Sequence, residues 1–133
     1  MESSDFVIIG SGPGGYQAAI RAAQRGARVV LIEEKHLGGV CLNRGCIPTK
    51  GMVSSMDVLR AVRHAADYGI EASGVGVSLA SIVERRNRVV AKIHQGLQFL
   101  LQKNKIDVIR GRGRLVGGRV VEAGDRRIQA KTI

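Results

Sequence analysis

Tryptophan is absent from this 133-residue chain, and phenylalanine and tyrosine occur only twice each, so aromatics make up 3% of it. The interior must therefore be built from Val, Ile, Leu and Ala. A nucleic-acid surface, which interleaves basic and aromatic side chains, lacks its stacking half. Acidic residues are scarce too, 11 against 21 Lys and Arg, giving a formal charge of +10. That balance suits a polyanionic partner in principle. The basic residues, those between Arg60 and Arg127 among them, are nevertheless spread along the chain rather than gathered in one block. They read as solvated faces, and no nucleic acid is expected. No apolar run approaches the ~20 residues of a membrane helix. The run Phe6–Ile9 is too short for a signal-peptide core and follows Asp5 rather than a basic segment. A cytoplasmic protein with no membrane partner is the expectation.

Cysteine is nearly absent as well, and the two present, Cys41 and Cys46, are separated by only four residues. In a reducing compartment so close a pair reads as redox-active or metal-binding rather than as a structural staple. Glycine, by contrast, is plentiful at 18 residues, mostly clustered, which points to backbone positions with special geometry.

The first glycine cluster follows Asp5-Phe6-Val7-Ile8-Ile9, a β-branched run that reads as a buried strand. Gly10-Ser11-Gly12-Pro13-Gly14-Gly15 leads into an Ala-rich helix over Tyr16–Gln24, with Gly26 as its C-terminal stop. Ala27–Ile32 is a second apolar strand, closed by Glu33 and Glu34. This is a βαβ unit whose strands are apolar throughout, as strands covered on both faces should be. Gly10, Gly12 and Gly15 fit G-x-G-x-x-G. The first glycine allows the tight turn, the second lets a pyrophosphate approach the backbone, and the third allows close helix–strand packing. The helix start offers free N–H groups and the positive dipole end to phosphates. Glu33 lies about 20 residues on, where a carboxylate can receive ribose hydroxyls. A glycine loop alone would be weak evidence. With both strands and the acid in register it predicts a dinucleotide site, NAD or FAD.

Between Cys41 and Cys46 the residues Asn43 and Gly45 favour a turn, which would bring the sulfurs within disulfide reach. Pro48 suits the first turn of a following helix. Cysteines near such a helix start, close to Lys50, would have their thiolates favoured. A zinc site would need further ligands, and His36, His64 and His94 form no ligand pattern. No metal is expected. An inert buried pair is the remaining alternative to a redox dithiol.

Downstream, Val53, Met56, Leu59, Val62 and Ala66 predict a helix with one apolar stripe, ending near Tyr68-Gly69. Met52 and Met56 read as core fillers. After a Gly-rich loop over 71–78, Leu79–Lys103 predicts a long helix burying Ile82, Val89, Val90, Ile93, Leu97, Leu100 and Leu101. Ile106–Ile109 should return to the parallel sheet. Three short strands at 111–116, 119–122 and 127–130 form an antiparallel meander turning at Gly117-Gly118 and Gly124-Asp125. Lys131-Thr132-Ile133 begins a further apolar run expected to open a central strand.

The stretches Val7–Tyr16, Leu37–Lys50 and Val108–Leu115 together resemble the flavin-dependent pyridine nucleotide–disulfide oxidoreductases. The wording Cys-Leu-Asn-Arg-Gly-Cys-Ile-Pro-Thr-Lys is most similar to the branch that oxidises dihydrolipoamide. The mercuric and glutathione reductase branches, which more often carry Val after each Cys, are the alternative. The resemblance implies an α/β fold, a Rossmann-like FAD-binding domain with a parallel sheet, helices and a three-stranded antiparallel meander. It implies FAD on Gly10, Gly12, Pro13, Gly14 and Gly15, with Glu33 on the adenosine ribose and Gly113 near the adenine. Gly39, Val40 and Cys41 would line the cofactor and Lys50 would reach the flavin ring. Cys41 would exchange with substrate and Cys46 would face the flavin, with NAD as final acceptor. Gly51 stands where such enzymes usually carry Ala. The implied partners are dihydrolipoamide on the lipoyl domains of 2-oxo acid dehydrogenase complexes, and a second copy in a homodimer. Such enzymes are considerably longer. Residues 1–133 are thus expected to be the N-terminal part of the FAD-binding domain, incomplete at its C-terminus and without NAD-binding and dimerisation domains. On that expectation the chain by itself is a fragment without turnover.

Overall fold

Strand β1 (Glu2–Ile9) is central in a six-stranded sheet of order β3-β2-β1-β6-β5-β4, seen in a computed structural model that describes residues 1–133. Helix α1 (Pro13–Gln24) follows, starting on a proline with Gly12 as N-cap. It stops as the sequence predicts. Gly26 takes φ +84°, and the Ala27 N–H bonds back to the Ala22 carbonyl at 3.2 Å. Strand β2 (Val29–Glu33) then pairs parallel to β1, with Phe6 opposite Val29 and Ile9 opposite Ile32.

Next come α2 (Gly39–Arg44), α3 (Cys46–Arg63), a 3₁₀ turn over Ala65–Tyr68, and α4 (Leu79–Lys103). Strand β3 (Asp107–Arg110) returns parallel to β2 at the sheet edge. Strands β4 (Gly113–Leu115), β5 (Val120–Ala123) and β6 (Arg126–Thr132) form the antiparallel meander. The sequence separated the third meander strand from a later central one. In the structure one strand serves as both, because β6 pairs antiparallel to β5 on one edge and parallel to β1 on the other.

β2 shows why its sequence is apolar throughout. Val29 and Leu31 enter a cluster with Ala19, Leu97, Leu101 and Ile106 on the helical side. Val30 and Ile32 enter a second cluster with Val7, Ile109, Val121, Ala123, Ile128 and Ala130. That second cluster joins parallel strands to the meander, so the meander folds over the face that helices leave open. The result is three layers, with helices, parallel strands and meander in that order. No helix is long and apolar enough to cross a membrane.

The long helices are less buried than their periodicity predicts. On α3, Met52, Leu59 and Val62 are half-buried, whereas Val53 is 51% and Met56 38% exposed. On α4 only Leu97 and Leu101 are buried, and Ile93 and Leu100 remain exposed. No residue from 52 to 96 is fully buried. This stretch is a hairpin held chiefly by α3 against α4.

Candidate active site

The site lies at the carboxyl ends of β1 and β2, where open α/β sheets receive ligands. Gly10 turns the chain out of β1 with φ +95° while its N–H bonds to the Ile32 carbonyl at 2.8 Å. A Cβ on Gly15 would collide with the Gly10 carbonyl, so α1 can come this close only with glycine there. Around Gly12 and Gly14 the opposite holds, with nothing within 4 Å of an added Cβ. The amides of Gly12, Gly14 and Gly15 donate to no protein acceptor. An open cradle of free N–H groups at a helix start fits a pyrophosphate.

Glu33 closes the other side. Its Oε2 accepts from the Ser11 hydroxyl at 2.6 Å and the Ser11 N–H at 2.8 Å, and its Oε1 from the Lys35 N–H at 2.8 Å. Burial pushes this carboxyl upward, but the hydrogen bonds from Ser11, Lys35 and His36 outweigh it and hold the group below the usual value. Beside it opens a cleft of about 250 Å³ lined by Ile9, Gly10, Ile32, Glu33, Arg112 and Gly113, among others. A Cβ on Gly113 would come within 3.1 Å of the Ile9 side chain. Gly10, Glu33 and Gly113, far apart in sequence, thus meet at one cleft.

The cysteine segment is bound to the same loop. Gly38 and Gly39 take φ +90° and +62°, and a Cβ on Gly39 would sit 2.8 Å from the Gly12 Cα. A Cβ on Gly38 would strike Leu42, a buried anchor of α2. Between the cysteines the structure has helix α2 and a break at Gly45, not the simple turn that Asn43 and Gly45 suggested. Asn43 instead donates to the Leu37 and Gly39 carbonyls at 2.9 and 2.8 Å, fastening the start of α2. At Gly45 the absence of a side chain leaves room for the Cys41 backbone, 3.3 Å from an added Cβ. Cys41 and Cys46 form a disulfide with Cα atoms 4.7 Å apart. Cys41 is half-buried and Cys46 exposed.

Cys46 is the first residue of α3, and Lys50, one turn on, shares its face. Pro48 is the third residue of that helix and buried. Val40 is 74% exposed beside Gly39. Sequence reasoning missed Ser11 and the bonds by which Asn43 fastens the turn before α2. Ser11 occupies a variable position of the glycine pattern, and only its burial marks it.

Comparison with known proteins agrees with this arrangement. Residues 4–133 match the family described as pyridine nucleotide-disulphide oxidoreductase. A dihydrolipoyl dehydrogenase of Chlamydia muridarum is 46% identical over 121 residues, covering 91% of this chain and 26% of the relative. One from Rhizobium etli is 48% identical over 115 residues, covering 86% and 24%. One from Acholeplasma laidlawii is 42% identical over 130 residues, covering 97% and 39%. The chain thus spans about a quarter to two-fifths of the length of these relatives. With its glycine cradle, its disulfide and a match from residue 4 to residue 133, this chain belongs to the pyridine nucleotide-disulphide oxidoreductase family.

Proposed function

We propose that the chain is the flavin-binding, disulfide-bearing part of a dihydrolipoyl dehydrogenase, passing two electrons from dihydrolipoamide through Cys41 and Cys46 to FAD and on to NAD. One observation carries the reading. Gly39, two residues before Cys41, packs on Gly12 so closely that a Cβ would lie 2.8 Å from its Cα, which brings disulfide and phosphate cradle together. In this reading the pyrophosphate lies on Gly10, Gly12, Pro13, Gly14 and Gly15, the ribose on Glu33 and the adenine near Gly113. Gly39, Val40 and Cys41 would line the cofactor and Lys50 would reach its ring. Bound FAD supplies a two-electron acceptor beside the disulfide.

The protein's own part is thiol–disulfide exchange. A substrate thiolate attacks Cys41 Sγ, the Cys41–Cys46 bond breaks, and Cys46 leaves as a thiolate. The second substrate thiolate then attacks its partner sulfur in the mixed disulfide and releases Cys41. Dihydrolipoamide is oxidised to its cyclic disulfide, and the protein gains two thiols, so electrons and protons balance. The start of α3 and the Lys50 ammonium both favour the Cys46 thiolate. The reading places the protein in the cytoplasm as a homodimer that meets dihydrolipoamide on lipoyl domains of 2-oxo acid dehydrogenase complexes.

Anaerobic mixing of the disulfide form with excess dihydrolipoamide tests this. Mass spectrometry after alkylation should find both Cys41 and Cys46 labelled, with matching formation of lipoamide. Cysteines that remain unlabelled under those conditions contradict the proposal.

A further inference from the structure

Ser11 fills a position at which the glycine pattern accepts any residue, yet its side chain is fully buried and used in both directions. Its hydroxyl donates to Glu33 Oε2 at 2.6 Å and accepts the Gly38 N–H at 3.2 Å. Its own N–H makes a second bond to the same carboxylate oxygen at 2.8 Å. Three segments meet at this hydroxyl: the phosphate loop, the end of β2, and the Gly38-Gly39 turn that starts the cysteine-bearing helix. Gly38 is buried, so without the hydroxyl its N–H would be left without an acceptor. Glu33 would keep only backbone donors, the N–H groups of Ser11 and Lys35, and would lose its one side-chain partner.

We infer that Ser11 is a positioning residue, whose hydroxyl orients the Glu33 carboxylate toward the dinucleotide ribose and fastens the phosphate loop to the turn that carries the redox helix. The ribose half rests on the dinucleotide reading above. The fastening itself is a property of the ligand-free chain. A serine that merely fills space would leave the chemistry of Glu33 untouched when replaced by alanine. A serine that holds Glu33 would not.

The test compares the full chain with Ser11→Ala. The Glu33 carboxyl carbon is followed by NMR through a pH titration without ligand, and FAD affinity is measured by fluorescence quenching. Glu34, Lys35, His36, Arg44 and Arg112, the charged and titratable neighbours along the adjoining clefts, are the same in both proteins, so a difference belongs to Ser11. The expected result is a higher Glu33 midpoint in the variant and FAD binding weakened roughly tenfold, the scale of a lost hydrogen bond to a charged group. Identical midpoints overturn the inference, and so does an equal, measurable FAD affinity in the two proteins. If Ser11→Ala does not fold, Ser11→Gly is measured in the same way, and a Glu33 midpoint equal to that of the wild type overturns the inference. If the midpoint moves but neither protein binds FAD, the dinucleotide reading falls together with the ribose half, and the fastening of loop to redox turn stands.

Discussion

Asp5 gathers three segments at one carboxylate. Its Oδ1 lies 2.7 Å from Lys131 Nζ on β6, and its Oδ2 accepts the Arg28 N–H ahead of β2 at 2.8 Å. The Lys131 hydrogen bond, followed by the Arg28 N–H, lowers its pKa from 3.8 to about 2. The folded value lies below the unfolded one. Its stabilisation is therefore complete above the unfolded value and is lost as pH falls through the folded one. Between pH 3.8 and about 2 the melting temperature of the wild-type protein should fall more steeply than that of Asp5→Asn. Parallel curves for the two proteins would contradict this. Glu2 and Glu33 are also lowered and remain in both proteins, so some acid sensitivity survives in the variant. At this scale the sequence displayed the glycines and the acid but not their division of labour. Gly15 is required by the Gly10 carbonyl and Gly39 by Gly12, whereas Gly12 has open space around it. A one-dimensional pattern cannot separate a glycine that avoids a neighbour from one that leaves room for a ligand. Ser11 was invisible for a related reason, since its partners lie 22 and 27 residues away.

Among the elements, α1, α4 and the parallel strands were legible, because an apolar run bounded by glycine or by a capping Ser78 has few other solutions. Helix α3 was legible in existence but not in facing. The stripe Val53, Met56, Leu59 and Val62 advances by threes, and each such step drifts about 60° round a helix of 3.6 residues per turn. It therefore cannot stay on one face, and the half-buried side carries Met52, Ser55, Leu59 and Val62 instead. Gly51, buried where α3 meets α4, is the anomaly of this pair. Its carbonyl accepts from Arg85 at 2.9 Å, and an added Cβ would meet Arg86 Cγ at 3.7 Å, ordinary contact. Gly51→Ala should therefore raise stability by about 0.8 kcal/mol, the helix-propensity difference. Chemical denaturation read by circular dichroism checks it, and a lower unfolding midpoint would show that the contact with Arg86 is tighter than it looks. The cysteine segment was misread as a turn because Asn43 favours turns by propensity. Here its amide is spent on two carbonyls at the start of a helix.

On the scale of the whole molecule, the three layers bring together groups from opposite ends of the chain. β6 joins the parallel strands to the meander, the meander carries Gly113 back over the ends of β1 and β2, and the Gly38-Gly39 turn seats the Cys41 helix on the Gly10–Gly15 loop. The aromatic-poor composition is consistent with this architecture, since the buried residues of the two core clusters are all Val, Ile, Leu and Ala. Arg126 ties the far end of the sheet, bridging Glu2 on β1 and Asp107 on β3. The central claim is that the disulfide and a flavin share this one site. Its most direct test is the visible absorption spectrum of the FAD-loaded chain as dihydrolipoamide is added anaerobically, compared with Cys46→Ser. The wild-type protein should develop a long-wavelength shoulder on its flavin band as the Cys46 thiolate forms, and the variant should not. A chain that takes up no FAD, or a shoulder that persists in Cys46→Ser, would contradict it.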